Sequence, residues 1–183
     1  MSVKTEVLID VRDILKASGL SKTIELETTA DCCGIMDSET ECDFGEAIHV
    51  KAELFNIKGM IRAKGNVRTG YMTYCARCLK SVHMEIFREF DDEYVRYGVP
   101  GPVSAEETDV YEYSDKEIDI GLSIRDAVLL DLPIRHLCSE GCLSLCPICG
   151  KDLNDGPCVC EEPIGDVRFE ALKSLLENDD RHI

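Results

Sequence analysis

The sequence predicts an α+β protein: a twisted antiparallel sheet packed with a few helices, followed by a cysteine-rich C-terminal segment. Three observations carry this. From Ala47 to Phe90, apolar and polar residues alternate with the two-residue period of half-buried strands. Apolar residues recur at helical spacing in Ile120–Leu132 and again in Phe169–Leu176. Between Pro133 and Pro163, six cysteines are interspersed with Gly and Pro, a pattern too irregular for an ordinary core element. Hydrophobic residues make up 44% of the 183 and charged residues 31%, a balance that permits a buried core.

Each element has its own signal. Val11, Ile14 and Leu15 follow i, i+3, i+4 spacing and predict a short amphipathic helical piece that stops at Gly19. Lys22–Thr28 reads as a strand, with Ile24 and Leu26 on one face. Asp31–Gly45 is polar and reads as a loop or weak hairpin carrying Cys32, Cys33 and Cys42. Three strand runs follow, beginning at Ala47, Lys58 and Ser81, and Gly59, Gly65 and Gly70 mark turns, bulges or close approaches. Short connections between such runs favour antiparallel pairing. Tyr97–Asp119 reads as a surface loop or linker. A helix is expected near Leu122–Leu132, closed by Pro133, and a last helix over Asp166–Leu176. Residues 1–120 are thus expected to form a β-rich domain with a short N-terminal helical piece. Residues 121–183 supply a helix, the cysteine-rich segment and a terminal helix packing on that same domain.

Composition excludes several classes of function. The formal net charge of −16 repels phosphate backbones and anionic membranes, so a general nucleic-acid-coating protein is excluded. The N-terminal residues lack the basic-then-apolar pattern of a secretory leader, and no stretch reaches the ~18 apolar residues of a membrane span. The expected compartment is the reducing cytoplasm. There, eleven cysteines read as metal ligands before disulfides.

Eight of the eleven fall into four chelating pairs. Cys75 and Cys78 form C-x-x-C, Cys138 and Cys142 C-x3-C, Cys146 and Cys149 C-x-x-C, and Cys158 and Cys160 C-x-C. That is the ligand count of two tetrahedral four-thiolate zinc sites. A C-x-x-C turn brings two thiolates to one ion, and Gly150 after Cys149 lets the turn close. Cys158 and Cys160 are close enough in sequence to complete a local site with Cys146 and Cys149. Cys75 and Cys78 then take the remaining pair, Cys138 and Cys142, as a long-range staple. Such closed sites are structural rather than catalytic. Iron fits an all-thiolate site too, but the C-x-C pair departs from the rubredoxin-like spacing and favours zinc. Disulfides and a thioredoxin-like role are the competing readings. His136, two residues before Cys138, reads as exposed in preference to a substitute ligand or a donor to the sulfurs.

No acid occurs between Glu53 and Glu85, and that window holds Lys58, Arg62, Lys64, Arg68, Arg77 and Lys80. Arg62, Lys64 and Arg68 fall at even spacing and share one strand face. They are the candidate contact for RNA or a partner. A solvated face paired with the chain's own acids is the bland alternative. No nucleophile–histidine pairing, H-E-x-x-H, P-loop or G-x-G-x-x-G is present, so no enzyme and no small-molecule substrate are expected.

The motif string is specific. Cys75-Ala-Arg-Cys-Leu79 precedes an alternating strand, then come Leu130-Asp-Leu-Pro-Ile134 and Leu137-Cys-Ser-Glu-Gly-Cys142. Leu145-Cys-Pro-Ile-Cys-Gly-Lys-Asp-Leu-Asn154, Gly156-Pro-Cys-Val-Cys160 and the helix holding Phe169 to Leu176 complete it. In this order, over roughly Ala47–Leu176, the chain resembles the YceD family of bacteria and plastids, the large ribosomal RNA subunit accumulation proteins. The N-terminal third, with its Cys32-Cys33 pair, lies outside that pattern. The resemblance implies a role in synthesis, processing or stability of large-subunit ribosomal RNA, and no known catalytic reaction. Its partners would be that RNA or a pre-ribosomal particle, and a ribosomal protein as a further candidate. Members of the family can lack the C-terminal knuckle, which implies an accessory staple. Two other classes compete: a thiol and zinc redox sensor, and an acidic chaperone-adaptor for a basic ribosomal protein.

Overall fold

The computed structural model describes residues 5–35, 40–98, 110–114 and 116–160. In chain order the strands are β1 (Leu8–Asp10), β2 (Ser21–Thr28), β3 (Ile48–Ile57), β4 (Met60–Tyr74), β5 (Ser81–Arg96), β6 (Val110–Tyr113) and β7 (Glu117–Asp119), followed by helix α1 (Gly121–Asp131). The chain divides into two units, 1–140 and 141–183. The helix expected to open the second half lies in the first unit, because Ile120, Ile124, Ala127 and Val128 belong to the same buried cluster as the sheet.

The main sheet has the order β2-β3-β4-β5-β6. β2, β3, β4 and β5 pair antiparallel in chain order, as period-two runs with short connections dictate. Lys58 and Gly59, both at positive φ (54° and 94°), make the two-residue turn that fixes Ile57 opposite Met60. Ile48, Val50, Ala52 and Leu54 on β3, with Ile61, Ala63, Val67 and Tyr71 on β4, face the core. The alternate residues face outward. There Lys51 pairs with Glu25 and Arg62 with Asp91 as cross-strand ion pairs, and His49 Nδ1 lies 3.2 Å from Glu27.

Asn56 is the polar anchor of this core. It is buried, its Nδ2 donates to the carbonyls of Ile14 (2.7 Å) and Ala17 (3.1 Å), and its Oδ1 accepts from Gly59 N (2.8 Å). One side chain thus ties the N-terminal turn to the β3–β4 hairpin. Helix α1 packs on β5. The buried Tyr94 and Ser123 hydroxyls hydrogen-bond each other, and Tyr111 Oη donates to Asp126 (2.7 Å). The first amide of α1, Gly121 N, donates to Asp119 Oδ1 (2.9 Å), which satisfies one of the open donors at the helix start.

Several expectations need correction. "A few helices" overstates the helical content, for α1 is the one α-helix among the described residues. The N-terminal piece is a single 3-10 turn, Ile14–Lys16, because its apolar spacing spans too few residues to propagate a helix. Val11 and Ile14 are nonetheless fully in the core. The terminal helix expected over Asp166–Leu176 lies outside the described residues. Tyr97–Asp119 is not simply a loop: it contributes β6, which runs parallel to β5, and β7, which pairs antiparallel with β1. The sheet is therefore mixed at one edge. No helix among the described residues is long and apolar enough to cross a membrane.

In the second unit, residues 141–160 form turns: a bridge between Leu145 and Asp152, then a 3-10 turn at Leu153–Asp155. Cys142 and Cys146 are the buried residues of this stretch.

Candidate metal centres

β4 and β5 continue as an arm past the Ile48 end of β3, where Asp43 bridges Met72 of β4, and the Cys75–Lys80 loop closes its tip. Cys75 N donates to Lys80 O (2.8 Å) and Leu79 N donates to Cys75 O (2.9 Å). These two bonds fold the six-residue loop so that its amides turn towards the sulfurs. The second C-x-x-C is built alike: Cys146 N donates to Lys151 O (2.8 Å), Gly150 N donates to Cys146 O (2.9 Å), and Ile148 N points at Cys146 Sγ (3.4 Å). In both loops the residue after the second cysteine has positive φ, 59° at Leu79 and 72° at Gly150.

The sulfurs assemble into two groups, Cys75, Cys78, Cys138 and Cys142, and Cys146, Cys149, Cys158 and Cys160. Within each group all ligand atoms lie within 4.8 Å of one another. Cys78 and Cys138 sulfurs are 3.6 Å apart, Cys146 and Cys158 sulfurs 3.4 Å. These distances are far longer than the ~2.05 Å of a disulfide. They are near the edge of a tetrahedron, about 3.8 Å, around an ion with ~2.3 Å bonds to sulfur. Donor type, number and spacing all fit a metal ion.

The electrostatics agree. Backbone amides, first that of Cys78 and also those of Cys138 and Arg77, hold the Cys75 thiol down to about 6. The amides of Cys149 and Ile148 hold Cys146 down to about 6. Cys160 moves the other way, to about 12, first through its hydrogen bond with Cys149 and then through burial and crowding by the neighbouring sulfurs. A cation among these sulfurs reverses that penalty.

His136 is not simply exposed. It is half-buried, its ring stands edge-on to Tyr71 (centroids 5.6 Å apart), and its Nε2 lies 3.9 Å from Cys42 Sγ. Its carbonyl accepts from Ala76 N (2.8 Å), which clamps the segment leading to Cys138 onto the first knuckle. Asn154 has a comparable role that sequence reasoning missed. Its Nδ2 approaches Cys142 Sγ (3.5 Å) and its Oδ1 accepts from Leu143 N (2.8 Å). Its place at the end of the quoted Leu145–Asn154 string was the available signal. Cys32, Cys33 and Cys42 fall in neither group, and burial pushes the Cys33 thiol up to about 12.

The six candidate contact bases separate. Arg62 makes a two-pronged pair with Asp91 (2.7 and 3.0 Å), Lys64 approaches the same carboxylate (3.8 Å), and Arg68 pairs with Glu85 (3.5 Å). The partners sit on β5, the neighbouring strand. Lys58 is exposed in the β3–β4 turn, and Arg77 and Lys80 are exposed in the first knuckle.

Fold and site define a sheet protein carrying two four-cysteine groups able to hold metal ions. The chain belongs to the YceD family: residues 63–176 match the family described as large ribosomal RNA subunit accumulation protein YceD. A chloroplastic YCED homolog of this description from Arabidopsis thaliana is 28% identical over 159 residues, covering 73% of this chain and 50% of that protein. An uncharacterized protein of Mycobacterium tuberculosis is 28% identical over 134 residues, covering 73% and 64%. A chloroplastic YCED homolog from Zea mays is 26% identical over 140 residues, covering 61% and 48%. The chain thus spans about half to two thirds of the length of these relatives. No solved structure matches it.

Proposed function

We propose that this protein is a non-enzymatic, cytoplasmic ribosome-biogenesis factor that supports synthesis, processing or stability of large-subunit ribosomal RNA. Two zinc ions act as its structural staples. The observation that carries the RNA reading is the family match over residues 63–176, a stretch that contains all eight paired cysteines. The described part of the second unit buries two cysteines and no apolar core residue, so its order needs a cross-link of another kind. Zinc supplies that cross-link: four thiolates and one Zn²⁺ form a closed node of charge −2 with no position left for substrate.

The test is depletion in cells together with affinity capture at moderate salt, with and without RNase. Depletion should lower mature large-subunit RNA relative to small-subunit RNA, and capture should recover precursor large-subunit RNA. Ribosomal proteins kept after RNase would favour the chaperone-adaptor class, for which the charge of −16 speaks. Unchanged ribosomal RNA after depletion would overturn the reading. The redox-sensor class draws on the exposure of Cys138 and Cys149. It requires zinc release by mild oxidant at levels that leave the fold otherwise intact.

A further inference from the structure

We infer that the tip of the β4–β5 arm, rather than the basic strand face, is a contact surface for single-stranded RNA. Tyr74 offers a stacking plane there, and Arg77, Lys80 and Arg135 offer the charge. This rests on the ribosomal RNA reading above and gives it a place on the molecule.

The strand face is already neutralised. Arg62 and Lys64 share Asp91, and Arg68 meets Glu85. The hollow on that face is also lined by Glu25 and Glu27. A phosphate arriving there must displace carboxylates held in register by the sheet. The hollow between α1 and β5 is worse for an anion, with Glu89, Asp91, Asp92 and Asp126 in its wall.

The arm tip offers an exposed aromatic face beside a hollow. A hollow of about 640 Å³ there is lined by Tyr74, Leu79, Ile134 and Arg135, with Glu41 as its carboxylate. Tyr74 is 67% exposed and Leu79 64%, on a loop whose Arg77 and Lys80 also face solvent. An exposed aromatic face among cations takes an unpaired base by stacking while the cations meet its phosphates. The knuckle hydrogen bonds and the four-sulfur group fix the backbone on which Tyr74 and Arg77 stand, so little order is lost on binding. The acidic remainder of the chain repels RNA elsewhere and confines contact to this end.

The test uses full-length, zinc-loaded protein. Binding of a labelled oligouridylate of about 12 nucleotides, a length within the range one such surface covers, is followed by fluorescence anisotropy across salt. Large-subunit ribosomal RNA transcribed in vitro is the second probe. Tyr74→Ala should weaken binding about 10-fold and Tyr74→Phe should restore it. Arg77→Glu with Arg135→Glu should weaken it at least as much and flatten the salt dependence. Arg62→Glu with Lys64→Glu should leave binding within about 3-fold, and equal zinc content should show that all variants are folded. Wild-type binding that survives the tip variants, or falls with the strand-face variants instead, overturns this inference and leaves the ribosomal role standing. No binding to either RNA by a protein that still supports ribosomal RNA accumulation also overturns it, and points to a protein partner. Failure of the ribosomal role itself is read separately, in the depletion experiment.

Discussion

Leu79 and Gly150 occupy the same backbone position in two separate turns. Each follows the second cysteine of its C-x-x-C, donates its N–H to the first cysteine's carbonyl at 2.9 Å, and sits at positive φ. One turn uses the residue type suited to that conformation and the other does not. A left-handed conformation costs a residue with a Cβ roughly 1–2 kcal/mol.

Opposite substitutions should therefore have opposite signs. Leu79 is mostly exposed, so Leu79→Gly removes strain without emptying a core position and should stabilise the first knuckle by up to about 1 kcal/mol. Gly150→Ala should destabilise the second by about 1 kcal/mol. Chemical denaturation of the zinc-loaded variants measures both. Equal signs would mean that the two turns are not equivalent.

Gly65 is where β3 presses against β4. A Cβ there would lie 2.4 Å from Lys51 O and 2.6 Å from Ala52 Cβ, contacts that the paired backbone cannot relieve cheaply. Gly65→Ala should cost about 2–3 kcal/mol in urea denaturation. A loss below about 0.5 kcal/mol would show that the strands can separate at this point.

Asn56 makes three side-chain hydrogen bonds from a buried position. Asn56→Ala leaves the Ile14 and Ala17 carbonyls and the Gly59 amide to find other partners. The expected loss is about 3 kcal/mol, with faster hydrogen exchange at Gly59. A variant as stable as the wild type would place the anchoring of the N-terminal turn in its apolar residues alone.

Zinc retention should depend on acidity in a defined direction. The thiols of Cys75 and Cys146 are held down to about 6, so in the folded protein they favour the thiolate at neutral pH. That advantage is present above the ordinary thiol range and is lost as pH falls through about 6. From there, bound metal competes with protons for both sulfurs. Dialysis against a weak chelator should keep zinc in the protein at neutral pH and strip it as pH drops below about 6. Retention independent of pH across that range would contradict thiolate ligation by these two residues.

The central strands and the grouping of the cysteines were legible in the sequence, for different reasons. Ile48 to Leu54 shows its inward face through strict alternation, which survives any detail of packing. The cysteine pairs show themselves because chelation requires short, fixed spacing. The two groups that spacing suggests are the two whose sulfurs lie together. β1, β6 and β7 were not legible: they span three or four residues, too few to display a period, and their partners are distant in sequence. The basic face of β4 was legible as a face. Its pairing with the chain's own acids was legible only as an alternative, without the partners, because Asp91 and Glu85 meet it through the register of β5. His136 was missed as a support because it acts through its backbone carbonyl, which no residue type reveals, and Asn154 because its side-chain amide meets Cys142 only through the fold of the turns between them.

Native mass spectrometry of the protein purified under reducing conditions tests the proposal of two zinc centres most directly. Two zinc ions per chain are predicted, with one lost in Cys75→Ser and one in Cys146→Ser. A single ion in the wild type, or full zinc content in Cys75→Ser, would contradict the division of eight cysteines into two separate staples.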